Sequence, residues 1–454
     1  MVKKISYLFF LVISFLLASC SKRDYVNSLP KDSQLVAQID VVSLFQKAGL
    51  ENENLSGVLK EVTQHPEKTG IDWNEKVYAY VSNNAIGFVT AVNDADKLTD
   101  FLKNDAQSWG VSMEEDGDYI WASTREWLLG YDEEQLFAMN IYGDAKVFRQ
   151  RAKKFMEQDA ADSFVSHSFF QKLVASGSDL SIYADASVLP ESVIGKWLSF
   201  FPDDVELSSL STLLSVDFNV GKLEANVDFH SDDSKVQEAI RHLTSSLKVQ
   251  DGVFTKYIPS DFSLFASFHS TPELVEILKG NRDIGMTLEL MAQAVPVHEL
   301  LNELEDVAFY TSPSSEFVAY GQLNSTAIFT DDSWASRNGI RMLGNHSYAF
   351  GSYVFGLDGQ DFYLSSNQNR KGVSATVDQN RLLDSWASKI KGTYGFVMVN
   401  LPHFSAVSGL PTDISSQLET AVLRWTEPVH FELTVSVRNQ QDNILKVFLQ
   451  PWIK

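Results

Sequence analysis

His298-Glu299-Leu300-Leu301-Asn302 is the nearest approach to a metal motif in this 454-residue chain. A zinc-binding helix of this kind needs a second His one turn on, so that two imidazoles meet the metal from one face. Asn302 stands there instead, and Asn is a poor zinc ligand. Leu300, Leu301 and Leu304 follow at helical spacing, so His298 and Glu299 read as part of an amphipathic helix. Asp116-Gly117-Asp118, preceded by Glu114 and Glu115, offers carboxylate oxygens to Ca²⁺ but lacks the alternating ligands and closing Glu of an EF-hand. It reads as a hairpin turn before Tyr119-Ile120-Trp121. Asp94-Ala95-Asp96 and Asp203-Asp204 read as acids at helix starts and turns. The chain has no Gly-x-Ser-x-Gly elbow and no Gly-rich phosphate loop ending in Lys-Ser or Lys-Thr. A carboxylate pair for glycoside hydrolysis is set by folding rather than by spacing, and 59 acids single out no pair. Trp73, Trp109, Trp121, Trp127, Trp334 and Trp386 are candidate sugar-stacking platforms, although in strands such as those of Trp121 and Trp127 packing is the commoner fate. The sequence therefore assigns no catalytic, metal-binding or cofactor-binding residue.

Cys20 is the only cysteine. Lys3 and Lys4 precede a nearly continuous apolar run from Ile5 to Leu17, and Ala18 and Ser19 supply small residues before Cys20. The run is short for a membrane span and reads as a signal peptide over residues 1–19. Leu17-Ala18-Ser19-Cys20 resembles the lipobox of bacterial lipoproteins. That resemblance implies cleavage before Cys20, diacylglyceryl on its sulfur and N-acylation, for example with palmitate. A buried acyl chain contributes about 0.8 kcal/mol per CH₂, and two lipid signals make a stable anchor. The expected partner is thus the membrane, held through lipid on Cys20, with residues 20–24 as lipidated Cys and short tether. With the only thiol so used, disulfides and thiolate chemistry are excluded.

Formal net charge is −22, and 44% of residues are hydrophobic. The apolar content suffices for a core, and the length suggests two or three domains. Loss of residues 1–19 removes Lys3 and Lys4 and no acid. Such an acidic chain disfavours nucleic acid and anionic membrane faces.

Four pairs of segments recur in the same order. Leu29-Pro30-Lys31-Asp32 through Ile39 returns as Ile258-Pro259-Ser260-Asp261 through Phe268. Pro and Asp make a turn; Leu35, Ala37 and Ile39, like Leu264, Ala266 and Phe268, then alternate as strands with one buried face. Trp127-Leu128-Leu129-Gly130 parallels Tyr353-Val354-Phe355-Gly356. Ile182-Tyr183-Ala184-Asp185 parallels Val397-Met398-Val399-Asn400. Leu214 to Phe229, turning at Gly221-Lys222, is matched with Phe431 to Leu449, turning near Asn439 to Asn443. Asp94 and Asp144 are placed to cap helices bearing Leu98, Phe101 and Leu102, and Phe148, Ala152, Phe155 and Met156. Asp232-Asp233-Ser234 opens another amphipathic helix through Val236, Ala239, Ile240, Leu243 and Leu247. The expected fold is α+β: two related domains with antiparallel sheets and flanking helices, arising by internal duplication. They span residues 25–232 and 252–454, joined by a connecting helix over 233–251.

The stretch from Tyr25 to Leu50, with its Pro-x-Asp turn, strand, Ser43-Leu44-Phe45 and helix ending at Gly49, together with Ser178-Asp179-Leu180-Ser181-Ile182-Tyr183, resembles the large Bacteroidetes lipoproteins grouped as domain of unknown function 4836. The resemblance implies an envelope lipoprotein and brings no catalytic residues. Ser21-Lys22-Arg23-Asp24 lacks the acidic run that resembles a surface-export signal in such bacteria, which favours a protein facing the periplasm; the expected address is the outer membrane, facing the periplasm. The functional expectation is a non-enzymatic binding or scaffold module. The alternatives are a glycan-binding lipoprotein and a hydrolase with a carboxylate site assembled by the fold. The sequence identifies no envelope protein or glycan partner.

Overall fold

A computed structural model describes residues 24–449 except 51–56, 84, 105–109, 189–208, 281–284, 287, 290–291, 293–295, 331–332, 338, 371, 373–380 and 404–411. Residues 1–23, including the apolar run and Cys20, lie outside the described residues. The fold is mixed α+β with antiparallel strand pairing. The chain divides into two compact units, residues 1–46 with 50–177 and residues 47–49 with 178–454.

In the first unit, the Pro30–Asp32 turn feeds β1 (Ser33–Ile39). It is followed by β2 (Val77–Ser82), β3 (Ala85–Ala91), β4 (Ser112–Asp116), β5 (Tyr119–Ser123), β6 (Trp127–Tyr131) and β7 (Gln135–Asn140). Their pairing gives the order β4-β5-β6-β7-β3-β2-β1. The Asp116-Gly117-Asp118 acids form the β4–β5 turn, where Gly117 takes φ 65° at the first of two turn residues. Asp94 Oδ1 accepts the Lys97 N–H at 3.0 Å and caps the helix Ala95–Asn104. That backbone N–H holds the Asp94 carboxyl below its ordinary range. Leu98, Phe101 and Leu102 pack on Ala122, Tyr131 and Leu136. Asp144 caps the helix Ala145–Met156, which buries Ala152 and Met156.

The second unit contains β8 (Leu180–Asp185), β9 (Leu210–Asn219), β10 (Lys222–Ser231), β11 (Leu264–His269), β12 (Leu304–Thr311), β13 (Phe317–Leu323) and β14 (Arg341–Gly344). It continues with β15 (Ser347–Phe350), β16 (Tyr353–Asp358), β17 (Asp361–Ser365), β18 (Gly395–Asn400), β19 (Leu418–Glu427) and β20 (His430–Val437). The order is β8-β9-β10-β20-β19-β18-β11-β12-β13-β17-β16-β15-β14. Its last seven places repeat the first unit's order, with each strand number raised by ten. Helix Arg381–Ile390 lays Leu383 and Ile390 against Phe265, Phe396 and Met398. Asp233 accepts the Lys235 and Val236 N–H groups, caps helix Ser234–Ser245 and buries Val236.

The matched segments fall on β1 and β11, β6 and β16, and β8 and β18. Two expectations are corrected. Leu35 and Leu264 are only partly buried, whereas their neighbours Val36 and Phe265 are fully buried. Alternation marks the Leu35 and Leu264 faces as the apolar ones, but the opposite faces are covered as well, with Gln38 and Ser267 buried beside Val36 and Phe265. The C-terminal stretch 431–449 is not a hairpin: after β20, Asn443 Oδ1 accepts the Leu445 N–H, and Ile444–Leu449 is a helix burying Ile444 and Val447. A three-residue spacing of buried groups suits a helical turn. The β9–β10 hairpin is matched instead by β19–β20.

The recurring Gly130 and Gly356 have a steric basis. Gly130 lies opposite Trp121, and a Cβ there would sit 2.5 Å from the indole; at Gly356 it would meet the His346 carbonyl at 2.3 Å. Gly130→Ala and Gly356→Ala should each lower stability by about 1–3 kcal/mol in urea unfolding. Gly280→Ala, where nothing lies within 4 Å, serves as the tolerant control. Unchanged midpoints for Gly130→Ala and Gly356→Ala would refute the packing argument.

Candidate functional site

Cys20 precedes the first described residue, Asp24, by four positions. The folded body starts with a short helix, Tyr25–Ser28, whose Tyr25 and Val26 are buried. Gln158 ties this start down: its Nε2 donates to Asn27 O at 2.6 Å and to Leu29 O at 2.9 Å. The Phe164 N–H donates to Leu29 O at 3.1 Å. Lys31 Nζ reaches Ala161 O at 2.7 Å. An open depression of about 720 Å³ lies here, lined by Lys31, Asp32, Lys153, Lys154, Glu157 and Asp162 among others. Its cations come from the turn before β1 and from the end of helix Ala145–Met156.

The sequence motifs do not converge. His298 sits on helix Val297–Glu303 with Val297 and Leu300 buried, as amphipathic spacing requires. Its Nε2 faces Glu289 at 3.3 Å, while Asn302 is exposed. Among the described residues no group of three or more His, Cys, Asp or Glu is placed to hold a metal, and no helix is long and apolar enough to cross a membrane. Glu114, beside the Asp116–Asp118 turn, pairs with Arg149 at 2.7 Å. Trp121 is buried, Trp386 packs against the second unit's core, and Trp127 is half-buried beside Phe88. Trp73 Nε1 donates to Thr69 Oγ1. Trp109 and Asp203-Asp204 lie outside the described residues, and only the backbone of Trp334 is described.

Three polar constellations escaped sequence reasoning because their members come from separate strands and turns. Arg370 donates to the Tyr320 hydroxyl at 2.7 Å and the Tyr310 hydroxyl at 2.8 Å. Burial pushes both phenols above the ordinary tyrosine value. They remain neutral and accept from the cation, so the guanidinium bridges β12 and β13. His269 Nδ1 and Asp306 Oδ1 lie 2.9 Å apart, and Asp306 also accepts the Asp251 N–H. That arrangement clamps the β11–β12 end to the incoming chain. Asp358 and Asp361 face each other across the β16–β17 hairpin. Burial raises the Asp361 carboxyl and Asp358 adds repulsion, against an opposing pull from Lys256. This carboxylate pair sits at a tight turn with Asp358 exposed.

Residues 51–423 match the family described as a domain of unknown function, DUF4836. The chain belongs to the DUF4836 family. A comparison with curated proteins finds no match. Solved structures similar to this DUF4836 chain include crystal form IV of TP0453, 11% identical at a TM-score of 0.31, covering 45% of this chain and 80% of that one. Crystal form I of TP0453 is likewise 11% identical at 0.31, covering 50% and 88%.

Two outcomes follow from the polar groups. Arg370→Met removes the charged donor shared by two buried phenols and should cost roughly 1–3 kcal/mol, read as a lower urea midpoint; parent-like stability would show that the bridge contributes nothing. Asp361 has a folded pKa above its unfolded value, so it binds more protons when folded. Its contribution to stability is therefore lost as pH rises from the unfolded value of about 4 through the raised one. Asp361→Asn should exceed the parent in Tm at pH 7, with the gain shrinking towards pH 4. A gain independent of pH would contradict this account.

Proposed function

We propose that this DUF4836 chain is a lipid-anchored lipoprotein of the bacterial cell envelope, held at the outer membrane and facing the periplasm. It acts as a non-enzymatic binding or scaffold module. The anchor reading is supported by one observation above all: the single cysteine of 454 residues closes a lipobox-like segment after an apolar leader. Residue 24, the first described, leads directly into folded chain, so a lipid on Cys20 would hold the body close to the bilayer. The resemblance to Bacteroidetes lipoproteins points the same way.

The scaffold reading rests on the architecture. We infer that residues 25–232 and 252–454 are two copies of one unit. Support comes from the seven-strand order found in both compact units and from sequence matches on β1 and β11, β6 and β16, and β8 and β18. Strands β8–β10 group with the second unit because β10 pairs with β20, which is consistent with copies that share strands. The described tryptophan side chains engaged in packing lend no weight to a glycan platform, and the Asp358–Asp361 hairpin lends none to a hydrolase.

The anchor is tested by Cys20→Ala in the native envelope. The expected result is release from the membrane fraction, or an uncut precursor. A processed Cys20→Ala protein still sedimenting with membranes would dispose of the anchor.

A further inference from the structure

Helix Ala145–Met156 inverts the charge of the chain around it. It carries Lys146, Arg149, Arg151, Lys153 and Lys154 and no acid, where an even spread of the chain's 37 Lys and Arg would place about one. Arg149 is committed to Glu114 and shielded from solvent. The guanidinium of Arg151 lies over the Phe155 ring. The solvent face is left to Lys146, Val147, Gln150, Lys153 and Lys154, all exposed. Glu157 draws on Lys153 at 3.7 Å, one turn on. Two apolar side chains stand out at the start of the helix: Tyr142 and Val147 are each 69% exposed. Lysines flanking a protruding aromatic and a protruding aliphatic group are the composition of an interfacial helix, whose cations meet lipid phosphates while the apolar tips enter the headgroup layer.

Position strengthens the chemistry. The helix ends beside the segment where the folded body begins, since Gln158 binds Asn27 and Leu29 directly. Five residue steps separate Cys20 from Tyr25, a reach of about 18 Å at most. We propose that the solvent face of helix Ala145–Met156 docks on the anionic phospholipid headgroups of the membrane that holds the chain. Its orientation towards that membrane rests on the Cys20 reading; its affinity for anionic lipid does not. The net charge of −22 disfavours such a surface on average, and Asp32, Glu157 and Asp162 line the depression beside Lys153 and Lys154; within a Debye length of about 8 Å it is the outward lysines of the helix that meet the headgroups first.

The test uses unlipidated chain beginning at Ser21, which keeps every described residue. It should cosediment with vesicles of phosphatidylcholine containing phosphatidylglycerol, and not with phosphatidylcholine alone. Binding should weaken as salt rises. The triple variant Lys146→Gln, Lys153→Gln, Lys154→Gln should lower the partition coefficient about a hundredfold, at roughly fivefold per lysine near an anionic surface. Circular dichroism matching the parent establishes that the variant is folded. Tyr142→Trp should show a blue-shifted emission on the anionic vesicles. Equal binding to both vesicles, undiminished binding by the folded triple variant, or preference for a single-stranded oligonucleotide would overturn the proposal. Because this chain carries no acyl group, a failed anchor leaves the vesicle result intact, and a failed vesicle result leaves the Cys20→Ala fractionation intact.

Discussion

The fold depends on antiparallel register. Every side chain in a paired strand points to one of two faces, and directly paired residues share a face. Along β10 and β20 this places Leu223, Ala225 and Val227 with Val435, Leu433 and Phe431. Glu224, Asn226 and Asp228 stand with Thr434, Glu432 and His430 on the other side. A slip of one residue would exchange these two sets and set Asp228 and Glu432 among aromatics. The Asp228–His430 contact at 2.8 Å and the Arg424–Glu432 contact at 2.6 Å are polar consequences of the same register.

Within each unit, helices complete what the sheet leaves open. Helix Ala95–Asn104 covers β5 to β7 with Leu98, Phe101 and Leu102, and helix Arg381–Ile390 covers β11 and β18 with Leu383 and Ile390. Close approach requires absent side chains as well as present ones. Gly130 makes room for the Trp121 indole, and Gly356 for the backbone before β15. At the β14–β15 turn, Asn345 and His346 take φ of 50° and 54°, the left-handed pair that suits the twist of a two-residue hairpin. Edges are handled differently: β4 exposes Glu114, Glu115 and Asp116, charges that discourage pairing with a foreign strand.

Charge is unevenly distributed, and that matters more to function than its sum. Asp94, Asp144 and Asp233 stand at helix starts, where they accept backbone N–H groups. The exposed cations of one helix instead gather near the start of the folded chain. In the proposed arrangement a lipid anchor and a cationic face at the same end would restrain the body by two forces of different origin, one hydrophobic and one electrostatic.

The sequence by itself determined the helix starts at Asp94, Asp144 and Asp233 and the strands announced by Pro-x-Asp turns. These are local: capping, turn formation and periodicity act over a few residues, so they can be read in a line. Tertiary structure decided how deeply each face of β1 and β11 is buried: Val36 with Gln38, and Phe265 with Ser267, lie on the less apolar face yet are covered by packing. It decided that residues 444–449 coil into a helix rather than extend as a strand, and that β8 to β10 group with β20. It also brought Arg370 to Tyr310 and Tyr320, and His269 to Asp306. Those contacts join positions dozens of residues apart, and no local spacing encodes a meeting that depends on strand order.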